Sequence, residues 1–259
     1  MNALQNMIVF YNNSDPDDMF HCIVGHLLQN ITMLTDANIE DIAQKCYSSP
    51  ATMSRLSRKL GYKGFSDFKN SISSAAKRYM YLNRIIPMPS QTGTESKLDS
   101  YFQIVQEQIR NMQSELDQAM LFSIVEKLHA SEKVFFYSYG YVLSELTLQQ
   151  NLLMEGKQSM LFSRAVDQAA NARLLDKSCM VIMIMPDTRD AVVVDEILTE
   201  VKRNGACVLL LTTSRHAYFK KYADYSYDYD GIGYIVDMYR VYMYLDLISL
   251  VYRDLYLDQ

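Results

Sequence analysis

Residues 38–68 read NIEDIAQKCYSSPATMSRLSRKLGYKGFSDF, and this stretch decides how the N-terminal part of the chain folds. Ile39, Ile42, Ala43 and Cys46 recur at helical spacing and give a short helix one buried face. Tyr47-Ser48 breaks that pattern. Ser49-Pro50 then starts a second helix. A serine hydroxyl accepts from a free first-turn amide, and proline at the first helical position gives up only an amide that has no intrahelical partner. On this helix Met53, Leu56 and Leu60 point inward, while Ala51, Arg55, Arg58 and Tyr62 fall on the opposite side, flanked by Thr52, Ser54 and Lys59. A helix, a tight turn and a basic second helix form a DNA-reading device, because cations and short hydroxyls reach phosphates and base edges from a rod slim enough for the major groove.

Charge separates this reading from an ordinary solvated helix. Between Ile39 and Arg78 there are eight Lys or Arg against three Asp or Glu, a local +5 in a chain whose total is −5. Cations concentrated on one small segment of an acidic protein point to a polyanionic partner for that segment, here a double-stranded DNA operator. The candidate DNA-binding residues are Ser49, Thr52, Ser54, Arg55, Arg58, Lys59, Tyr62 and Lys63.

Outward from this unit, Phe20, Ile23, Val24, Leu27, Leu28 and Ile31 follow the spacing of an amphipathic helix opened by Asp15-Pro16-Asp17-Asp18, whose carboxylates suit a helix N-terminus. Ser66 to Arg78 forms another, packed through Phe68, Ile72 and Ala75 or Ala76. Residues 1–79 are thus expected to be an all-helical bundle of about four helices, and residues 80–97, with Pro87, Pro89 and Gly93, a linker. Residues 98–259 change character after two helical stretches, 98–114 and 116–129. Short apolar runs at 134–137, 159–162, 179–185 and 207–212 alternate with helix-length segments, which predicts an α/β fold with a parallel sheet covered on both faces. The last segment, 232–257, is a tyrosine-rich helix with Ile235, Met238, Tyr242, Leu245, Ile248 and Tyr252 along one side. Its tyrosines, among them Tyr234, Tyr239, Tyr242, Tyr244 and Tyr252, exceed what one buried face absorbs, so a homodimer or higher homo-oligomer is expected, with burial in the unit's own core as the alternative.

Ser49, Thr52, Arg55, Lys59, Leu60, Gly61, Tyr62, Gly64, Phe65 and Phe68 fit the pattern S-x-x-T-x-x-R-x-x-x-K-L-G-[FY]-x-G-[FY]-x-x-[FL], which resembles the N-terminal domain of the RpiR family of bacterial transcriptional regulators. The resemblance implies a helix-turn-helix bundle followed by a sugar isomerase (SIS) domain, a parallel α/β fold that binds phosphosugars. It further implies a G-x-G-x-S loop after the first strand and S-x-S-G-x-T-x-E after the third. This chain departs from both. Ser138-Tyr139-Gly140-Tyr141-Val142 keeps one glycine and puts valine at the serine position. The segment 183–190 keeps Thr188 and an acidic residue, Asp190, with Met183 and Met185 in place of serines and Pro186 in place of glycine. Ligands of open parallel sheets bind beyond the carboxyl ends of the strands, so the candidate ligand-binding residues are Ser138, Tyr139, Gly140, Ser144, Thr188, Arg189 and Asp190, with further hydroxyls at Ser163, Thr212, Thr213 and Ser214. Arg189 and Asp190 serve equally well to open a helix. The effector ranges from a sugar phosphate in a rebuilt pocket, through another small metabolite, to none.

The four cysteines, Cys22, Cys46, Cys179 and Cys207, lie in apolar patterns without C-x-x-C spacing and read as core thiols. The histidines lack ligand spacing, and neither a metal nor a cofactor is indicated. No apolar run spans a membrane and no leader pattern opens the chain, which reads as cytoplasmic. Three functions remain on these grounds. A ligand-responsive regulator of carbohydrate metabolism genes is preferred. The same DNA binder with a ligand-deaf SIS scaffold is the second, and a phosphosugar isomerase with an appended DNA-binding-like module the third. The isomerase is disfavoured because the anchoring serines are missing and no Glu or His is expected near the carboxyl end of a strand.

Overall fold

Amphipathic helices that cannot bury their apolar stripes alone must pack on one another, and the chain's first unit does only this. The computed structural model describes residues 3–31, 37–82, 84–87, 93–138, 143–185 and 191–258. Its contacts divide the chain into Met1–Asn83 and Arg84–Gln259. The first unit contains α1 (Ala3–Asn13), α2 (Met19–Gln29), α3 (Ile39–Lys45), α4 (Pro50–Lys59) and α5 (Phe65–Leu82). Its core joins Met7, Ile23, Val24, Leu27, Ile42, Ala43, Cys46, Met53, Leu56, Leu60, Phe68 and Ile72.

Helix α1, absent from the expected bundle of about four, packs on α2 and α5 through Ala3 and Met7, both fully buried. The spacing of those two apolar residues is its main local signal. Helix α5 runs beyond residue 79 to Leu82, and α6 starts at Thr94, inside the stretch expected to be linker. No proline or glycine stands between Arg78 and Ile86 to stop α5 earlier. Among the cysteines, Cys46, Cys179 and Cys207 are buried and Cys22 is exposed. Its neighbours Ile23 and Val24 take the inward side of α2, which turns Cys22 to solvent. Burial pushes the Cys207 thiol up to about 11, as suits an inert core residue.

The second unit comprises α6 (Thr94–Glu115), α7 (Gln118–Ala130), β1 (Lys133–Tyr137), α8 (Leu143–Met154), β2 (Gln158–Phe162), α9 (Ala165–Ala172), β3 (Cys179–Met185), α10 (Ala191–Arg203), β4 (Cys207–Thr213), β5 (Tyr225–Tyr229) and α11 (Met238–Tyr256). The strands form one sheet in the order β2-β1-β3-β4-β5, every pair parallel. Side chains alternate across it. Val134, Phe136, Met180, Ile182, Ile184, Leu209 and Leu211 meet α7, α8 and α11. Phe135, Tyr137, Val181, Met183, Met185, Val208 and Leu210 meet α9 and α10. Strand β5, YSYDY, stands outside the expected apolar runs because polar residues interrupt it, although Tyr225, Tyr227 and Tyr229 keep the period of two.

Helix α11 is rotated from the expected stripe. Val241, Tyr244, Leu245, Ile248 and Tyr252 are buried, whereas Met238 and Tyr242 are half-buried and Ile235 is 38% exposed. The tyrosine surplus is absorbed within the unit. Tyr244 stacks on Tyr227 with centroids 4.0 Å apart, Tyr252 meets Tyr256 edge-on, and the Tyr239 and Tyr101 hydroxyls are 3.1 Å apart. A tyrosine excess therefore gives no reason of its own for a second copy.

Arg240, 2% exposed, ties these elements together. Its Nε donates to the Tyr227 hydroxyl at 3.1 Å, its Nη2 pairs with Glu115 of α6, and its guanidinium lies over the Tyr229 ring at 4.9 Å. Arg240→Ala should destabilise the α/β unit by about 3 kcal/mol, since it opens a cavity and strands the Tyr227 hydroxyl. Arg240→Met should recover more than half of that loss by refilling the volume, because Glu115 is half-exposed and stays hydrated. Urea unfolding of the three proteins measures both.

Candidate nucleic-acid interface

The turn between α3 and α4 is built by local hydrogen bonds. Ser48 N donates to Ala43 O at 2.8 Å and Tyr47 N to Gln44 O at 3.1 Å, which closes α3. Ser49 caps α4, its Oγ accepting from Thr52 N at 3.2 Å, and Pro50 takes the first helical position. At the far end Gly61 adopts φ +91 with nothing near its missing Cβ, so backbone conformation alone calls for glycine there. Gly61 N donates to Arg58 O and Tyr62 N to Ser57 O, closing the helix. This is the physical content of the Leu60-Gly61-Tyr62 motif.

Within α4 the buried arc is wider than the apolar stripe. Thr52 and Ser57 are buried beside Met53 and Leu56, and Ser57 Oγ donates to Met53 O at 2.9 Å. Thr52 is therefore not the outward flanking residue expected of it. Its Oγ1 lies 3.0 Å from Ser49 Oγ and accepts from Arg55 Nη2 at 3.2 Å. Ala51, Arg55, Arg58, Lys59 and Lys63 are exposed, and Ser54 is half-buried. Lys59 is engaged inside the unit. It pairs with Asp18, the N-cap of α2, at 3.0 Å and lies 4.7 Å from the Phe20 ring centroid. The Phe20 amide and the Lys59 ammonium together hold the Asp18 carboxyl below its ordinary value. Tyr62 is half-buried, accepting from Asn6 Nδ2 at 3.2 Å and meeting Phe68 edge-on. Of the eight candidates, Arg55, Arg58, Lys59 and Lys63 thus keep a charged group on the exposed side, Lys59 while paired with Asp18, and Thr52 and Tyr62 are packed into the unit.

In the α/β unit, β1 and β3 are neighbours, with Tyr137 opposite Met183, and the strand order reverses between them. Of the ligand-binding candidates, Tyr139, Gly140, Thr188, Arg189 and Asp190 lie outside the described residues, as do Val142 and Pro186. Ser138 and Ser144 are described, and both are buried. Ser138 Oγ donates to Glu145 Oε1 at 2.6 Å, and Glu145 is itself 2% exposed. A carboxylate thus stands at the carboxyl end of β1, contrary to the expectation that no Glu or His would be near a strand end. The first turn of α8 carries it there, seven residues beyond Ser138. Gln168 Nε2 donates to Phe162 O at 2.8 Å, at the end of the neighbouring strand. Thr212 is fully buried and donates to Met185 O at 3.0 Å. Ser163 is half-buried, and the side chains of Thr213 and Ser214 are outside the described set.

Comparison with known proteins agrees with both units. Residues 18–78 match the helix-turn-helix domain of the rpiR family. An uncharacterised HTH-type transcriptional regulator of Haemophilus influenzae is 26% identical over 216 residues, which is 78% of this chain and 72% of that protein. The Vibrio vulnificus NanR protein complexed with ManNAc-6P aligns over 99% of this chain and 93% of its own, with TM-score 0.53 and 19% identity. The sugar isomerase domain of an RpiR transcription factor from Sphaerobacter thermophilus aligns over 61% of this chain and 89% of its own, with TM-score 0.50 and 16% identity. These two structural likenesses show the fold. Residues 18–78 are an rpiR-family helix-turn-helix domain, and the α/β unit has the fold of a sugar isomerase domain.

Proposed function

We propose that this protein is a DNA-binding transcriptional regulator of carbohydrate metabolism genes that works in the cytoplasm as a homodimer or higher homo-oligomer, and that it is not an enzyme. No helix among the described residues is long and apolar enough to cross a membrane. The observation that carries the reading is α4, which buries one side in the helical core and turns Arg55 and Arg58 outward beside Ala51. Arginine forks match guanine edges and phosphates, and a small residue one turn before Arg55 lets the start of the helix approach the groove. The α/β unit then serves effector binding, oligomerisation or both.

Simultaneous Arg55→Ala and Arg58→Ala substitution should weaken binding to duplexes selected from a random library by about 1–3 kcal/mol for each arginine that reads a base edge. Unchanged affinity of the folded double variant would refute the DNA reading. Thr52→Val should also weaken binding to selected duplexes, by a smaller factor, because Arg55 is deprived of the hydroxyl that holds its guanidinium. Thr52→Ser should restore binding. Fluorescence anisotropy at two salt concentrations separates phosphate contacts, which change the salt slope, from base contacts, which do not.

The reading of the effector site is narrower. Val142, Met183 and Met185 supply no hydroxyl where the family pattern has serine, and Met183 and Met185 are fully buried in the sheet. A hydrogen bond to a charged group contributes about 1.5–3 kcal/mol, so removing three such bonds lowers phosphate affinity by about three or more powers of ten. Hexose, pentose and N-acetylamino-sugar phosphates at millimolar concentration should therefore leave the melting temperature and operator binding nearly unchanged. A micromolar ligand at a thousandfold excess would add about 4 kcal/mol of stability, and such a response would identify a conventional phosphosugar sensor.

A further inference from the structure

Tyr47 is the one non-glycine residue with positive φ among the described residues, at φ 49, and the four other positive-φ positions are all glycine. It is also 89% exposed. An aromatic L-residue in the left-handed region is strained, and glycine or asparagine relieves that strain. A large exposed ring brings no compensating burial. The two backbone hydrogen bonds of the turn, Tyr47 N to Gln44 O and Ser48 N to Ala43 O, use main-chain atoms that glycine would keep. Its aromatic neighbour among the described residues is His26, edge-on at 5.7 Å. The fold therefore gives no reason for tyrosine at this position, and strain retained where the fold does not need it points to function.

Its place supplies the reason. Tyr47 stands two residues before the Ser49 cap, on the turn that leads into α4, with exposed Lys45 on the preceding turn. In a docked helix-turn-helix the N-terminal end of the second helix meets the bases, and the chain just before it runs beside the phosphate backbone that borders the groove. Tyrosine hydroxyls are regular donors to phosphate oxygens. Resting on the DNA-binding reading above, we infer that Tyr47 is a DNA-contacting residue whose phenol donates to a backbone phosphate oxygen and thereby sets how α4 enters the groove. The contact is independent of sequence, and the strained turn is what projects the ring outward.

The test sets stability against binding in the full-length chain. Tyr47→Gly and Tyr47→Asn should leave hydrogen-exchange protection of the α3 and α4 amides equal to or above that of the parent, while affinity falls about tenfold, as expected when a hydrogen bond to a charged group is removed. The loss should be equal for a duplex selected from a random library and for a random-sequence duplex. Tyr47→Phe, which keeps the ring without the hydroxyl, should reproduce most of it. Parent-like affinity of Tyr47→Gly or Tyr47→Phe overturns the inference, and so does a drop in protection for Tyr47→Gly, which would make the residue a fold determinant. The Arg55→Ala, Arg58→Ala protein in the same titration distinguishes the two readings. If its affinity falls while that of the Tyr47 variants does not, only the role of Tyr47 fails, and if no variant binds more weakly the DNA reading fails with it.

Discussion

Burial of Met53, Leu56 and Leu60 against Ile42, Ala43, Cys46 and Phe68 is the interaction on which the helical unit depends. Each such side chain contributes about 1.5–3 kcal/mol, whereas an exposed ion pair such as Lys59 with Asp18 contributes about 0–1 kcal/mol. Apolar burial therefore fixes the rotation of α4, and the direction of Arg55 and Arg58 follows from it. The polar contacts refine what burial has set. Ser49 and Thr52 close the first turn, and Thr52 then restrains Arg55, so one cap connects helix initiation to the position of an exposed guanidinium.

The α/β unit obeys a different constraint. A parallel sheet whose neighbouring strands are joined by helices must be covered on both faces, and the alternation along β1, β3 and β4 divides the core between two helical layers. Arg240 is the polar element this arrangement tolerates. It is held on one side by Glu115 and on the other by the tyrosines of β5. A lone buried guanidinium would be costly, and its setting of carboxylate, hydroxyl and aromatic rings is the compensation.

At the carboxyl end of β1 a serine and a glutamate are buried together. Glu145 is buried and accepts from the Ser138 hydroxyl, so the serine donor is satisfied inside the unit. Met183 and Met185 of β3 fill the core and offer no hydrogen-bond donor. The unit keeps a sugar isomerase fold, and a fold by itself does not assign a function.

Much of the architecture is legible in the sequence, because the information is local. The capped turn at Ser49-Pro50, the inward stripe of α4, the glycine after Leu60 and the apolar strands all depend on residues within a few positions of one another. The elements that local patterns miss or misplace depend on partners far along the chain. Helix α1 is defined by its packing on α2 and α5, β5 by pairing with β4, and the rotation of α11 by Tyr227 and the sheet beneath it. The same holds for individual side chains. Periodicity gives Thr52 and Tyr62 an outward direction, and tertiary packing draws them into the unit through Ser49 and Asn6, while Lys59 stays exposed and pairs with Asp18. Glu145 is one more polar residue of a helical segment until the fold sets it beside Ser138. The sequence by itself determined most of the helices and strands, α1 and β5 excepted, and where the cations gather, since propensity, capping and periodicity act over one or two turns. Only the tertiary structure decided which polar groups are spent inside the fold and which remain for a partner, because burial is a property of the assembled neighbourhood and not of any residue alone.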